Sequence, residues 1–448
     1  MRSASSRANL FLSSRSDHSA VYSSLVTDLG LSPQVWLFLS LLSFVTLFFK
    51  FSRFWSVRNL DLLLLFVLAP GMMLLVGKRD HPAWNAYIWL FLGSGLWLIR
   101  CCADLGLARR PMLEPNLSAS GLLCLSLGIL GLLLAETVSL PVEDGAARNP
   151  AEPSGRTDRP AATPEKSNAT VHSLVEIAKE IGPFSSSLKQ ELPQVIVSRV
   201  LASLAHVAIV LGLAGIGWRH FERMLTGIAM AACYLLLPYT RMEVVDSTQL
   251  IPSALIVAAV FWHPRPAVAG ALIGLAAGWL PACLGLVPLW CGFYRGRGSV
   301  RFLSVAFAVV VGCAVVGHWG GLGSWPSALG ARSIAEVGLL PQFEPRATSS
   351  FWVSIDPNFR LPVLILYFAL VIIFSMLPAD KGLAELISLS AALLVASQFW
   401  YLEKGGALVM LYLPLVIAMM FRPTLTIRRP LSPAHQRRAI RPSPYPSP

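Results

Sequence analysis

An all-helical, polytopic transmembrane bundle is the fold class this sequence predicts, and three observations predict it. Apolar runs of membrane-spanning length recur along the chain. Hydrophobic residues make up 55% of it and charged ones only 13%, a balance outside the soluble globular range. The basic residues fall between the runs, in short connections and in the tail. A bilayer's hydrocarbon core takes about 20 residues of helix to cross.

The net charge of +12 raises nucleic acid as a partner. The placement of the basic residues points instead to topology and to anionic headgroups, so membrane lipids are the expected partner and nucleic acid is not. Seven cysteines lie within or at the ends of apolar runs, without C-x-x-C pairs or His-Cys metal spacing. They read as buried small hydrophobes. No metal or cofactor is expected, since no P-loop, H-E-x-x-H, EF-hand or dinucleotide fingerprint occurs.

In chain order, residues 1–32 are Ser- and Arg-rich and read as a disordered tail without a signal-peptide pattern. Residues 33–110 hold an N-terminal membrane module. Spans are expected near Pro33 to Phe49, Leu60 to Val76, Trp84 to Cys101 and Ser118 to Leu140. Residues 111–421 form the main membrane domain, interrupted by an external segment at 141–195 that is polar and rich in Pro and Ala. Within it, VHSLVEIAKEI and SSLKQELPQVIVSRV carry helical spacing among charges and suit short surface helices. Further spans are expected near Val200 to Gly217, Leu225 to Leu237, Leu250 to Trp262, Ala267 to Leu280, Pro281 to Phe293, Phe302 to Trp319, Leu361 to Met376, Leu383 to Trp400 and Ala407 to Phe421. The total is about thirteen, several of them short for a perpendicular crossing. Residues 422–448 are a basic, Pro-rich cytoplasmic tail.

Charge sets sidedness, because Lys and Arg favour cytoplasmic loops. WRHFER and FYRGRGSVR alternate with the acidic TRMEVVDST. That alternation places the acidic connection outside. Lys50, Arg53 and Arg58 after the first span and Arg100, Arg109 and Arg110 after the third place the N-terminus outside, and the C-terminus is expected in the cytoplasm of a cell (inner) membrane.

Polar residues at span ends carry the candidate chemistry, since each is costly in lipid unless paired or wet. On the expected outer side these are Glu136, Glu143, Asp144, Arg199, Arg241, Glu243, Asp246 and Gln249. Arginine suits a phosphate, and a carboxylate suits a general base. The alternative is that Arg241 pairs with Asp246 or Glu243 and merely pins the loop. His206 reads as an interhelical histidine, and Asp61, Arg100 and Asp104 as a packing cluster on the inner side. Gly270, Gly274 and Gly278 recur every four residues, the spacing of a close helix contact.

The run from SRVLASLAHVAIVLGLAGIGWRHFER to PYTRMEVVDSTQLIPSALIVAAV, followed by AGALIGLAAGWLPACLGLVPLWCGFYRGRG, resembles the GT-C-fold membrane glycosyltransferases. These transfer a sugar from a polyprenyl-phosphate donor. The resemblance covers about 110 of the 448 residues and lies in a span with a basic inner turn, a second span ending in Pro, an acidic outer loop and a small-residue helix. It implies a GT-C-like bundle in which Glu143 and Asp144 are the catalytic carboxylates, with Glu136 in reserve. Convergence of the outer polar residues on one face makes Arg241, Glu243, Asp246, Gln249 and Arg199 the expected substrate-binding set, for a phosphorylated or polyhydroxylated ligand. The family's lysine before the outer Pro turn is Trp279 here, which passes the donor phosphate to Arg241 or Arg199. The expected activity is transfer of a sugar from a polyprenyl-phosphate donor to a lipid, glycan or protein acceptor at the extracytoplasmic face. A transporter or flippase, built on the Pro-interrupted spans at Pro252, Pro281 and Pro288, and an inactive membrane scaffold are the alternatives.

Overall fold

The computed structural model describes residues 33–51, 55–77, 84–106, 113–139, 192–294, 296–319, 351–354, 357–401 and 405–423. What the sequence implies for Glu143, Asp144, the surface segment VHSLVEIAKEI and both tails, apart from Arg422 and Pro423, lies outside them. The described residues are helical throughout, with no strand among them. In order the helices are α1 (Pro33–Phe48), α2 (Val57–Leu64), α3 (Ala69–Gly77), α4 (Trp84–Ala103), α5 (Ala119–Ser139), α6 (Leu192–Arg219), α7 (Met224–Leu236) and α8 (Pro238–Met242). They continue with α9 (Ser247–Phe261), α10 (Pro266–Trp279), α11 (Leu286–Phe293), α12 (Arg297–Trp319), α13 (Arg360–Met376), α14 (Leu383–Ser397) and α15 (Val409–Phe421).

Among the described residues, four stretches meet the length and composition of a membrane span: Val57–Leu75, Trp84–Gly106, Ala119–Thr137 and Val197–Arg219. Most of the remaining apolar helices are shorter, and α12 at 23 residues is the exception. Outward-facing side chains are themselves apolar, with Leu127, Phe307 and Ile365 each at least 60% exposed. A rim of this kind is stable against lipid and unfavourable against water.

Val57–Leu75 is not one continuous helix. Pro70 has no N–H, and its ring clashes with the carbonyl four residues back, so the α-helical ladder gives way to tight turns over residues 65–68. Tyr239 Oη donates to the freed Leu65 carbonyl at 2.7 Å, and Trp89 Nε1 donates to that of Val67. Broken backbone at membrane depth persists only where protein groups satisfy it in this way.

Helix α6 starts earlier than the pattern implies. The end of SSLKQELPQVIVSRV, read as a surface helix, belongs to it from Leu192 onward. Pro193 sits in the first turn, where its missing N–H costs nothing. At 28 residues and 1.5 Å per residue, α6 is about 42 Å long and overshoots a hydrocarbon core by two turns or more.

Small residues set the closest approaches. A Cβ at Gly270 would stand 2.5 Å from the Phe302 carbonyl oxygen, and one at Gly274 would stand 2.8 Å from that of Ala306. One at Gly278 would stand 3.1 Å from Cys313 Sγ. The glycine ladder of α10 is therefore the contact with α12, as its spacing implies. Cysteine usage differs from expectation at one point. Cys101, Cys233 and Cys283 are buried, but Cys124 faces outward from the sparsely covered α5, and none of the seven is in a disulfide.

The N-terminal helices are embedded among the C-terminal ones. Phe48 of α1 meets Phe421 of α15 edge-on at 5.7 Å, and Tyr239 reaches Leu65. Arg422, just after α15, donates to Asp104. Asp104 also accepts from Ser388 of α14 and from Arg100, and Arg100 is bidentate to Asp61 at 2.6 Å in each bond. Two aspartates and two arginines thus neutralise one another in the interior, extending the packing cluster read among Asp61, Arg100 and Asp104.

Alternating helix directions gather polar residues at two ends. Arg100, Arg219, Arg223, Arg265, Lys381 and Arg422 lie at one, the Arg422 end, with Asp61, Asp104 and Glu114. Glu136, Arg241, Glu243 and Asp246 lie at the other, the Arg241 end, with Arg199 and Arg360.

Candidate functional site

The site is built where α7 stops. Leu237 is extended (φ −68°, ψ 141°) because Pro238 follows it, and Pro238 then opens the five-residue α8. This abrupt turn sinks Tyr239 into the core, where it is fully buried, and leaves Arg241 at the rim.

Arg241 Nε donates to Glu136 Oε1 of α5 at 2.8 Å, and its guanidinium carbon stands 4.7 Å from the centre of the Trp36 ring. The two charged side chains are 16% and 22% exposed. The pair keeps some exposure, so a ligand with a stronger anion can reach the arginine and compete for it. The pairing with Asp246 or Glu243 considered from sequence is replaced by this one, since the turn of α8 aims Arg241 toward α1 and α5.

Asp246 has a different task. Its Oδ1 accepts from the Thr248 N–H at 3.1 Å and from the Thr248 hydroxyl at 2.6 Å, capping α9. Its Oδ2 accepts from Gln249 Nε2 at 2.8 Å. Both oxygens are engaged, which makes Asp246 a cap and an anchor, and a poor proton acceptor.

Gln249, fully buried, ties the site together. Its Nε2 also lies 3.4 Å from Glu243 Oε2, and its Oε1 accepts from the Met410 N–H at 3.1 Å. Met410 belongs to the first turn of α15, whose N–H groups have no partner within the helix. One amide therefore joins the acidic turn to the far end of the chain.

Arg199 follows Ser198, whose hydroxyl is 3.4 Å from that of Ser247 at the start of α9. It shares the Arg241 end and is half-buried. His206 is buried, with Nδ1 2.8 Å from Tyr234 Oη and Nε2 3.1 Å from the Val244 carbonyl. A carbonyl only accepts, which puts the proton on Nε2 and makes Tyr234 the donor to Nδ1. With both nitrogens used, His206 braces α6 against α7 and the acidic turn.

The structure thus gathers Glu136, Arg199, Arg241, Glu243, Asp246 and Gln249 at one end of the bundle, while Glu143 and Asp144 are outside the described residues. Sequence reasoning missed Trp36 and Arg360. Trp36 sits unremarked in an apolar run. Arg360, a lone cation before a span, is buried at the same end, donates to the Trp400 carbonyl at 3.0 Å and stands 5.8 Å from the Trp352 ring centre.

The described residues contain no cluster of three or more metal-ligating side chains. Comparison with family models, with curated proteins and with solved structures finds no match to this chain.

Proposed function

We propose that this chain is a multi-pass membrane glycosyltransferase of GT-C-like architecture, with about thirteen spans and its Arg241 end facing the extracytoplasmic side. It moves a sugar from a polyprenyl-phosphate donor to a hydroxyl-bearing acceptor. The observation that carries this reading is the partly buried Arg241–Glu136 pair on the Trp36 face.

The chemistry asks for one arginine and one carboxylate. The donor phosphate takes Arg241 from Glu136, as the stronger, bidentate anion. The acceptor oxygen attacks the anomeric carbon as the bond from that carbon to the phosphate oxygen breaks. The hydroxyl proton passes to a carboxylate, from Glu143, Asp144 or the released Glu136, and the arginine holds the departing lipid phosphate. Gln249 and Asp246 keep the turn in place.

Transfer of labelled sugar from a polyprenyl-phosphate donor, in membranes holding the protein, tests the reading. Arg241→Gln lowers that transfer by at least about 100-fold, the scale of a lost transition-state anion contact. Absence of transfer by the unaltered protein overturns it.

The break at residues 65–68 favours a second reading, a transporter or flippase, since discontinuous helices build midplane sites. Movement of a lipid-phosphate sugar across vesicle membranes without glycosyl transfer distinguishes it.

A further inference from the structure

We propose that the turn between α9 and α10, with the end of α6 beside it, binds the phosphate headgroup of an anionic phospholipid. The site lies at the Arg422 end, opposite the Arg241 pair, and is independent of the glycosyltransferase reading.

Two guanidinium groups share one indole there. The guanidinium carbon of Arg265 is 4.8 Å from the Trp262 ring centre, and that of Arg219 is 5.5 Å from it and 5.3 Å from the Phe261 ring. The two cations are therefore at most about 10 Å apart, each fixed on an aromatic face with N–H edges left for an acceptor. Both side chains are exposed.

Neither has an ion pair among the described residues. Their neighbours at this end do: Arg223 faces Glu114 at 3.6 Å, and Arg100 and Arg422 face Asp104. Like charges held close without a carboxylate repel each other, and an anion between them removes that repulsion. His220 Nε2 is tied to the Phe261 carbonyl at 2.8 Å. The His263 carbonyl accepts from Tyr294, and the His263 pKa is lowered to about 4, chiefly by burial, so this ring adds no positive charge near neutral pH.

A lipid fits better than a free phosphate because the arginines border apolar surface. Trp218 and Met224 are 66% and 63% exposed, and Val268 is open on α10. Acyl chains have a wall to lie on directly beside the charge, and the half-buried Trp262 stands at the level where indoles favour the interface.

Native mass spectrometry of the full chain, released from nanodiscs of phosphatidylcholine with a minor share of phosphatidylglycerol, tests this. Phosphatidylglycerol adducts are expected on the unaltered protein, and at least about tenfold weaker retention in the Arg219→Gln, Arg265→Gln variant. Arg223→Gln, which removes a paired cation, is expected to retain them. Trp262→Leu keeps all charges and is expected to lose part of the retention, which a purely electrostatic surface would not. Equal retention in the double variant overturns the proposal, as does equal retention of the two lipids. Inorganic phosphate displacing phosphatidylglycerol at equal concentration overturns the lipid assignment in favour of a small-anion site. Should the double variant lose its helical circular dichroism, the Arg219→Lys, Arg265→Lys variant decides: unchanged retention then counts against the stacked geometry.

Discussion

Arg422 donates from Nη2 to Asp104 Oδ2, joining the end of α15 to the end of α4 across 318 positions of sequence. Asp104 has no exposed side-chain surface and Arg422 only 9%, so protein groups must meet both charges, and Asp104 is held by Arg100 and Ser388 as well. Removing Arg422 leaves Asp61 and Asp104 sharing Arg100, one buried negative charge in excess, at a cost of up to about 3–5 kcal/mol. Arg422→Gln is therefore expected to lower the thermal unfolding midpoint of the detergent-solubilised protein sharply. Arg422→Gln combined with Asp104→Asn is expected to recover most of that loss. Additive losses in the double variant would show that the two side chains act separately.

The α10 ladder makes a second expectation. Gly274 faces the Ala306 carbonyl, and backbone cannot swing aside as a side-chain tip does. Gly274→Leu is expected to cost at least about 1–3 kcal/mol by forcing α10 from α12. Gly278→Ala, which meets only the Cys313 side chain, is expected to cost far less. Both are read from unfolding midpoints, and equal effects would mean that the helices do not pack this tightly.

The turn at His263 makes a third, concerning pH. Burial, then the neighbouring His220, lowers its pKa from 6.5 to about 4. The unfolded chain therefore takes up a proton at higher pH than the folded one. Stability from this group is complete above about pH 6.5, is lost as pH falls toward 4, and changes no further below that. His263→Phe, which keeps a ring against His220 and Phe293, is expected to show a shallower fall in unfolding midpoint between pH 6.5 and 4 than the unaltered protein. Parallel curves would place the titration elsewhere.

The helical class and the position of nearly every helix were legible in the linear pattern, because lipid solvation leaves apolar length as the dominant signal. The Gly270 to Gly278 ladder was legible too, since a four-residue spacing places small residues on one helix face whatever they meet. The gathering of Glu136, Arg241 and Asp246 at one end followed from the alternation of charge.

Which carboxylate Arg241 takes was not legible, because Pro238 turns a single short helix, and the direction of that turn depends on what α1 and α5 offer. Nor was the role of Gln249, whose partner Met410 lies 161 positions away. The break at residues 65–68 had a local cause in Pro70, but only the arrival of Tyr239 and Trp89 makes it tolerable. Order along the chain determined what each segment is. Packing between segments decided which polar group satisfies which, because buried hydrogen bonds and ion pairs form between whatever the fold brings within about 3 Å, irrespective of sequence distance.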